Sequence, residues 1–186
     1  MEEVFLTADI LIHFPFSQWM PDPNRNVEQA VQADKLFRRI IDEELIAYIT
    51  DVTVYETVKR IEAIPWEPLP EPKRNPETGG ISGRMGFATS KSRVMPLLYL
   101  IQYPNFVGID KYQWQETFNY YMDHNVSIET AYTVTKAQAL NQTLKEEDRA
   151  LSGMVSFYRE YDILLSEIHA DFRLIDPSTY SKATDE

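Results

Sequence analysis

The sequence predicts a three-layer α/β/α fold around a mostly parallel central sheet, and three observations carry that expectation. The stretch 4–14 holds two apolar runs, Val4-Phe5-Leu6 and Ile10-Leu11-Ile12, which suit a strand buried on both faces under covering helices. Beyond it, short runs of β-formers alternate with segments whose apolar residues recur at helical spacing. That order builds parallel strands joined by crossover helices. At 186 residues, with 44% hydrophobic and 12% aromatic content, the chain can bury a core and is not disordered. One domain over residues 1–180 with a loose tail at 181–186 is expected.

In chain order, Asp9 interrupts the first apolar stretch, and a carboxylate there is costly to bury unless it is paired, hydrogen-bonded or on a metal. Thr7 and Asp9 would then sit at the strand's carboxyl end, where open α/β sheets place their ligands. Alternatively, Asp9 caps a short helix beginning at Ile10. Residues 17–26 read as a turn-rich loop. A helix over 27–45 follows, capped by Asn26, with Ala30, Ala33, Phe37, Ile40, Ile41 and Leu45 at helical spacing. Residues 46–50 read as a second strand, and a helix carrying Val54, Val58 and Ile61 on one side starts near Thr53.

The pattern breaks over an insertion at about 65–92. Five of the eleven prolines and four of the six glycines fall between Pro65 and Gly86, so a long loop is expected there. Lys73, Arg74, Arg84, Lys91 and Arg93 cluster in and just after it. They predict either a solvated loop or a mobile flap that offers positive charge to RNA. Regularity returns with a helix at 95–103 and a strand at 105–109. The helix 110–124 is capped by Asp110 and carries Trp114, Phe118, Tyr121 and Met122 on a face expected to be core. Ser127 caps a helix running to about Gln142. Thr143 and Glu146 have capping-box spacing and predict a further helix over 144–158. Residues 162–166 and 173–175 read as the fourth and fifth strands, with Asp176-Pro177 ending the domain.

Composition excludes several kinds of chemistry. The chain has no cysteine, hence no disulfide, thiolate metal site or Cys nucleophile, which fits a cytoplasmic protein. Met1-Glu2-Glu3 lacks the basic start of a secretory signal, and no apolar run reaches membrane-spanning length. A net charge of −11 disfavours the coating of duplex DNA, but it suits a basic protein partner and does not exclude a nuclease whose metal ions screen phosphates. Gly-rich phosphate loops, nucleophile elbows and His-Glu-x-x-His are absent, and His13, His124 and His169 lack zinc-ligand spacing. Four carboxylates at element ends remain: Asp9, Glu56, Glu129 and Asp171. Oxygen ligands of this kind suit Mg²⁺ or Mn²⁺. Each also has a purely structural reading. Glu56 can close a capping box with Thr53, Glu129 can favour a helix start after Ser127, and Asp171 can anchor a turn.

The order of these blocks resembles the PIN-domain family of metal-dependent ribonucleases. That family opens with a strand ending in a pattern like Asp-Thr-Asn-Val-Leu, similar to Thr7-Ala8-Asp9-Ile10-Leu11. A Thr-x-x-Glu helix is matched by Thr53-Val54-Tyr55-Glu56, and a Ser-x-x-Asp-Ala helix by Ser127-Ile128-Glu129-Thr130-Ala131. The closing strand with Thr-x-Asp-x-Asp-Phe is matched by Ser166-Glu167-Ile168-His169-Ala170-Asp171-Phe172. Strict alignment sets Thr130 rather than Glu129 at the third acid, and the fourth block carries one extra residue, which brings His169 into contention with Asp171. The Asn that commonly follows the first acid is missing. The resemblance implies a Mg²⁺- or Mn²⁺-dependent endoribonuclease acting on single-stranded RNA. Asp9, Glu56, Glu129 and Asp171 would be both catalytic and metal-holding residues, oriented by Thr7 and Ser166. It equally implies a degenerate PIN-like binding or regulatory module, or a toxin component neutralised by a protein partner. Homodimerisation is a further expectation.

Overall fold

The computed structural model describes residues 1–13, 26–63, 73–74, 81–82, 97, 102–106 and 111–181. Strand β1 (Glu2–Leu6) pairs in parallel with β2 (Leu45–Ile49) on one side and β6 (Gly153–Val155) on the other. Outside these lie β5 (Asn105–Phe106) beside β2 and β7 (Arg173–Ile175) beside β6, again parallel. The sheet is thus five-stranded and all-parallel in the order β5-β2-β1-β6-β7. A separate antiparallel pair, β3 (Lys73–Arg74) with β4 (Ile81–Ser82), lies within the predicted insertion.

Alternation along the strands divides the core into two layers, as period-two side-chain geometry requires. Val4 and Leu6 of β1, with Ala47, Ile49, Val155 and Ile175, face helix α2 (Val27–Ile41) through Ala33, Leu36, Phe37 and Ile40. Val54 and Val58 of α3 (Asp51–Ala63) pack against the same cluster. Phe5, Tyr48 and Met154 face the opposite way. They meet Val134, Ala137 and Leu144 of α5 (Ile128–Glu146) and Tyr161, Leu164 and Leu165 of α6 (Glu160–Glu167). The three-layer α/β/α architecture expected from the sequence is therefore present. No helix among the described residues is long and apolar enough to cross a membrane.

Several elements depart from expectation. The opening strand stops at Leu6, and Ile10 and Leu11 are buried in a one-turn helix, α1 (Ala8–Leu11). Its capping position is Thr7, so Asp9 is not the cap. Helix α2 has the expected Asn26 cap, whose side chain accepts from the Gln29 amide, but it ends at Ile41. Glu43 in the left-handed region turns the chain into β2, which takes Leu45. Helix α3 begins at Asp51 rather than Thr53, because Thr50 and Thr53 cap each other reciprocally. The Thr53 amide donates to Thr50 Oγ1 at 3.0 Å, and the Thr50 amide to Thr53 Oγ1 at 3.4 Å.

Of the face expected on α4 (Lys111–Asp123), Phe118 is 53% and Met122 73% exposed, with Tyr121 also exposed, while the Trp114 side chain lies outside what is described. The side that meets the protein carries Thr117, which is buried, and Tyr120, which bridges to Gln138 of α5 at 2.7 Å. Polar bonding across α4 and α5 overrides the apolar stripe that the sequence suggests.

Farther on, the predicted helix over 144–158 is absent. Thr143 spends its hydroxyl on the Ala139 carbonyl one turn back, so α5 runs through to Glu146 instead of restarting. Asp148, in the left-handed region, then leads into β6. The predicted strand over 162–166 is helix α6, whose Tyr161, Leu164 and Leu165 are buried at i, i+3 and i+4 while Ile163 is exposed. The strand at 173–175 is found as β7, followed by a 3₁₀ turn at Pro177–Ser181. The loop 17–25, Asp110, most of the insertion 65–92, most of the helix 95–103, the end of the strand 105–109 and the tail 182–186 lie outside the described residues.

Candidate functional site

The strand order reverses direction between β1 and β6: from β1 the chain builds outward through β2 and β5, then returns to add β6 and β7. Doubly wound sheets open a crevice at the carboxyl ends of the strands on either side of such a switch point. Here those ends deliver Thr7 and Asp9 after β1, and Ser156 and Phe157 after β6. Gly153 allows the approach of β6 to β7, because a Cβ there would lie 2.5 Å from the Arg173 carbonyl oxygen.

Asp9 is 4% exposed and ties the two strand ends together. Thr7 Oγ1 lies 2.5 Å from its Oδ1, and the Ser156 hydroxyl lies 2.9 Å from each carboxylate oxygen. The Phe157 amide donates to Oδ2 at 2.6 Å. Thr7 Oγ1 also lies 2.9 Å from the Val155 carbonyl, and Ser156 Oγ accepts from the Tyr158 amide at 3.0 Å. Burial pushes the Asp9 carboxyl above its ordinary value, against the opposing pull of the bonds from Thr7, Phe157 and Ser156.

Beside this junction, α3 presents Glu56 and, one turn on, Arg60, which forms an ion pair with it. Arg60 Nη1 also donates to the Tyr158 hydroxyl at 2.7 Å, and its guanidinium carbon lies 5.1 Å from that ring's centroid. Burial raises the Glu56 carboxyl. Arg60 pulls it down, while the charges of Glu129 and Asp9 add to the rise, so the net shift is upward. Glu56 and Glu129 share a cleft of about 240 Å³ lined also by Tyr55, Lys59, Arg60 and Ala63. Thr130 hydrogen-bonds Glu160 at 2.8 Å, and Ser127 Oγ donates to Thr130 Oγ1 at 2.9 Å. Tyr161 lies buried close enough to Asp9, Glu56 and Glu160 for their charges to add to the rise that burial gives its hydroxyl pKa.

Of the four sequence candidates, Glu56 and Glu129 line one cleft, and Glu56 feels the charges of both Glu129 and Asp9. Asp171 does not join them. It is on the surface, paired with Lys145 of α5 at 2.6 Å. Ser166 lies exposed near the end of α6, and His169 is exposed in the left-handed turn that follows it, so neither serves the cleft. Both belong to the segment displaced when α6 takes the place of the predicted strand. Glu56 is not part of a capping box, whereas Glu129 does lie in the first turn of α5 behind its Ser127 cap, as its structural reading requires.

Sequence reasoning missed Ser156, Phe157, Tyr158, Glu160 and Arg60. Ser156, Phe157 and Tyr158 were hidden inside the helix expected over 144–158, and Glu160 in the link between it and the strand expected at 162–166. Arg60 was open to detection from its i, i+4 spacing to Glu56.

The donor set does not fit a Mg²⁺ or Mn²⁺ ion. Each Asp9 oxygen already accepts from protein donors, Glu56 faces a guanidinium, and no three His, Cys, Asp or Glu residues among the described residues are grouped to hold a metal. Compared with protein-family models and with curated proteins, the chain matches none.

Proposed function

We propose that this chain is a PIN-like domain that has lost hydrolytic chemistry and acts as a cytoplasmic binding or regulatory module. The observation that carries the reading is Arg60, ion-paired with Glu56 and hydrogen-bonded to Tyr158 beside the cleft that Glu56 and Glu129 line. The resemblance to PIN domains supports it further once the closing motif is moved to the strand end that faces Asp9. Ser156-Phe157-Tyr158-Arg159-Glu160-Tyr161 then fits Thr-x-Asp-x-Asp-Phe, with Tyr158 in the place of the first acid and Glu160 in that of the second. Thr130 stands at the third acid position of the helix motif. Two carboxylates of the family pattern are thus replaced, and the Asp9 carboxylate is used as a cross-link between β1 and β6.

The competing reading, a metal-dependent endoribonuclease, draws support from Asp9 at the switch-point strand end and from Glu56, which shares a cleft with Glu129 and feels the Asp9 charge. One assay separates the two. Labelled single-stranded RNA of mixed sequence incubated with the protein and Mg²⁺ or Mn²⁺ should remain intact, with wild type indistinguishable from Asp9→Asn. Metal-dependent cleavage that disappears in Asp9→Asn would establish the nuclease instead.

A further inference from the structure

Resting on the reading of the cleft as non-hydrolytic, the geometry points to Arg60 as its built-in cation. In this assignment the guanidinium performs the charge balancing that a divalent ion performs in metal-dependent nucleases, and it closes the carboxylates to metal.

Glu56 of α3 and Glu129 at the start of α5 line one cleft, and the charge of Asp9, from the segment after β1, also acts on Glu56, so Glu56 meets like charge from two other segments. Such a group requires either protonation or a positive charge among its members. Lys59, the other basic residue of the cleft, has its ammonium 5.5 Å from the Tyr55 ring centroid, over an exposed ring at the rim. Arg60 is the residue placed inward. It is paired with the largely buried Glu56, within reach of the Asp9 charge, and backed by the Tyr158 ring.

A guanidinium suits the position better than an ammonium, because its planar fork can bond a carboxylate, meet a hydroxyl and lie against an aromatic face at once. It is also covalently attached, so it does not depend on a free concentration of ions. A divalent ion would have to displace it and break its bond to Tyr158. It would also have to take Asp9 oxygens away from Ser156 and Phe157. The fixed partners extend the effect into structure: Asp9 holds the Phe157 amide, the next residue Tyr158 holds Arg60, and Arg60 holds Glu56. That chain of contacts ties α3 to the switch point.

The test is thermal unfolding and Mn²⁺ calorimetry on wild type, Arg60→Gln and the double variant Glu56→Gln/Arg60→Gln. Wild type should show no saturable Mn²⁺ heat and no metal-dependent Tm shift. Arg60→Gln should melt several degrees lower and bind Mn²⁺ saturably, with Tm restored by the metal. Removing the second charge in the double variant should recover most of the lost Tm and abolish the Mn²⁺ response. Saturable Mn²⁺ binding by wild type would overturn the inference. So would an Arg60→Gln protein that neither loses Tm nor gains metal binding, or a loss of Tm left undiminished by the double substitution with no metal uptake, which would mark a packing role alone. RNA cleavage by wild type would remove the underlying functional reading. Absence of cleavage combined with a flat Arg60→Gln response would remove only this inference.

Discussion

Asp9 shows how one residue can be costly as a charge and useful as an acceptor. Replacing it with Ala removes the acceptor for the Phe157 amide and the Ser156 hydroxyl, and leaving such groups unsatisfied costs roughly 1–3 kcal/mol each when buried. Phe157 is only half-buried, so Asp9→Ala is expected to lose about 2 kcal/mol by urea denaturation. Asp9→Asn keeps one acceptor oxygen for Phe157, and its amide can donate to Thr7, whose hydroxyl still reaches the Val155 carbonyl. In acid, where wild-type Asp9 keeps its proton, the Asn variant should fold with nearly unchanged stability. The two proteins then differ in pH dependence. Folding raises the Asp9 pKa, so the folded state holds that proton more tightly than the unfolded chain does. The corresponding stabilisation is complete below the unfolded pKa and is lost as pH rises through the folded one. Urea midpoints measured across acid to neutral pH should therefore favour Asp9→Asn over wild type increasingly as pH rises. A constant difference would mean that the carboxylate's burial is not felt.

At the scale of elements, legibility follows the size of the local signal. Helix α2 could be read because its cap and its apolar spacing agree. Strand β1 could be read to Leu6, but nothing in Ile10-Leu11-Ile12 distinguishes a buried helical turn from a buried strand, since both are simply apolar. The third and fourth blocks separate more sharply. Ser127 caps α5 as its spacing implies, but Thr143 offers the same capping signal mid-helix and bonds its own helix instead. The three residues of β6 carry too little pattern to announce a strand, although it pairs with β1 and supplies half of the site. What identifies β6 is contact, above all the absence of a side chain at Gly153 where the backbone of β7 passes. Gly153→Ala should therefore force β6 and β7 apart, because its nearest contact is the Arg173 carbonyl oxygen and not the tip of a flexible side chain. Overpacking of this kind costs about 1–3 kcal/mol. Amide hydrogen exchange should localise the loss to residues 153–155 and 173–175 and spare β2. An unchanged exchange pattern would show that the sheet edge accommodates the methyl group.

Across the whole molecule, β1 carries a buried carboxylate at its amino end as well as one just beyond its carboxyl end, and the two are handled in opposite ways. Glu3 accepts from Arg149 Nε at 2.7 Å and from Arg149 Nη2 at 2.9 Å. The Tyr48 hydroxyl donates to the same side chain at 2.8 Å. This clip joins the central strand to its neighbour β2 and to the segment between α5 and β6. Burial pushes the Glu3 carboxyl up, but the hydrogen bonds from Arg149 and Tyr48 and the Arg149 charge outweigh it, so its pKa lies below the ordinary value. The sign is thus the reverse of that at Asp9. Stability from Glu3 is fully present above its unfolded pKa and is lost as pH falls through the depressed folded one. Wild type should lose Tm as the solution is acidified through that window. Glu3→Gln, which cannot lose the same charge, should start lower at neutral pH and fall less steeply. This gap and that between wild type and Asp9→Asn should both narrow toward strong acid but with opposite sign at neutral pH, wild type lying above Glu3→Gln and below Asp9→Asn. Parallel Tm curves for wild type and Glu3→Gln would show that Arg149 is held by packing and Glu147 without the Glu3 charge. A steeper acid loss in Glu3→Gln would reverse the assigned sign outright.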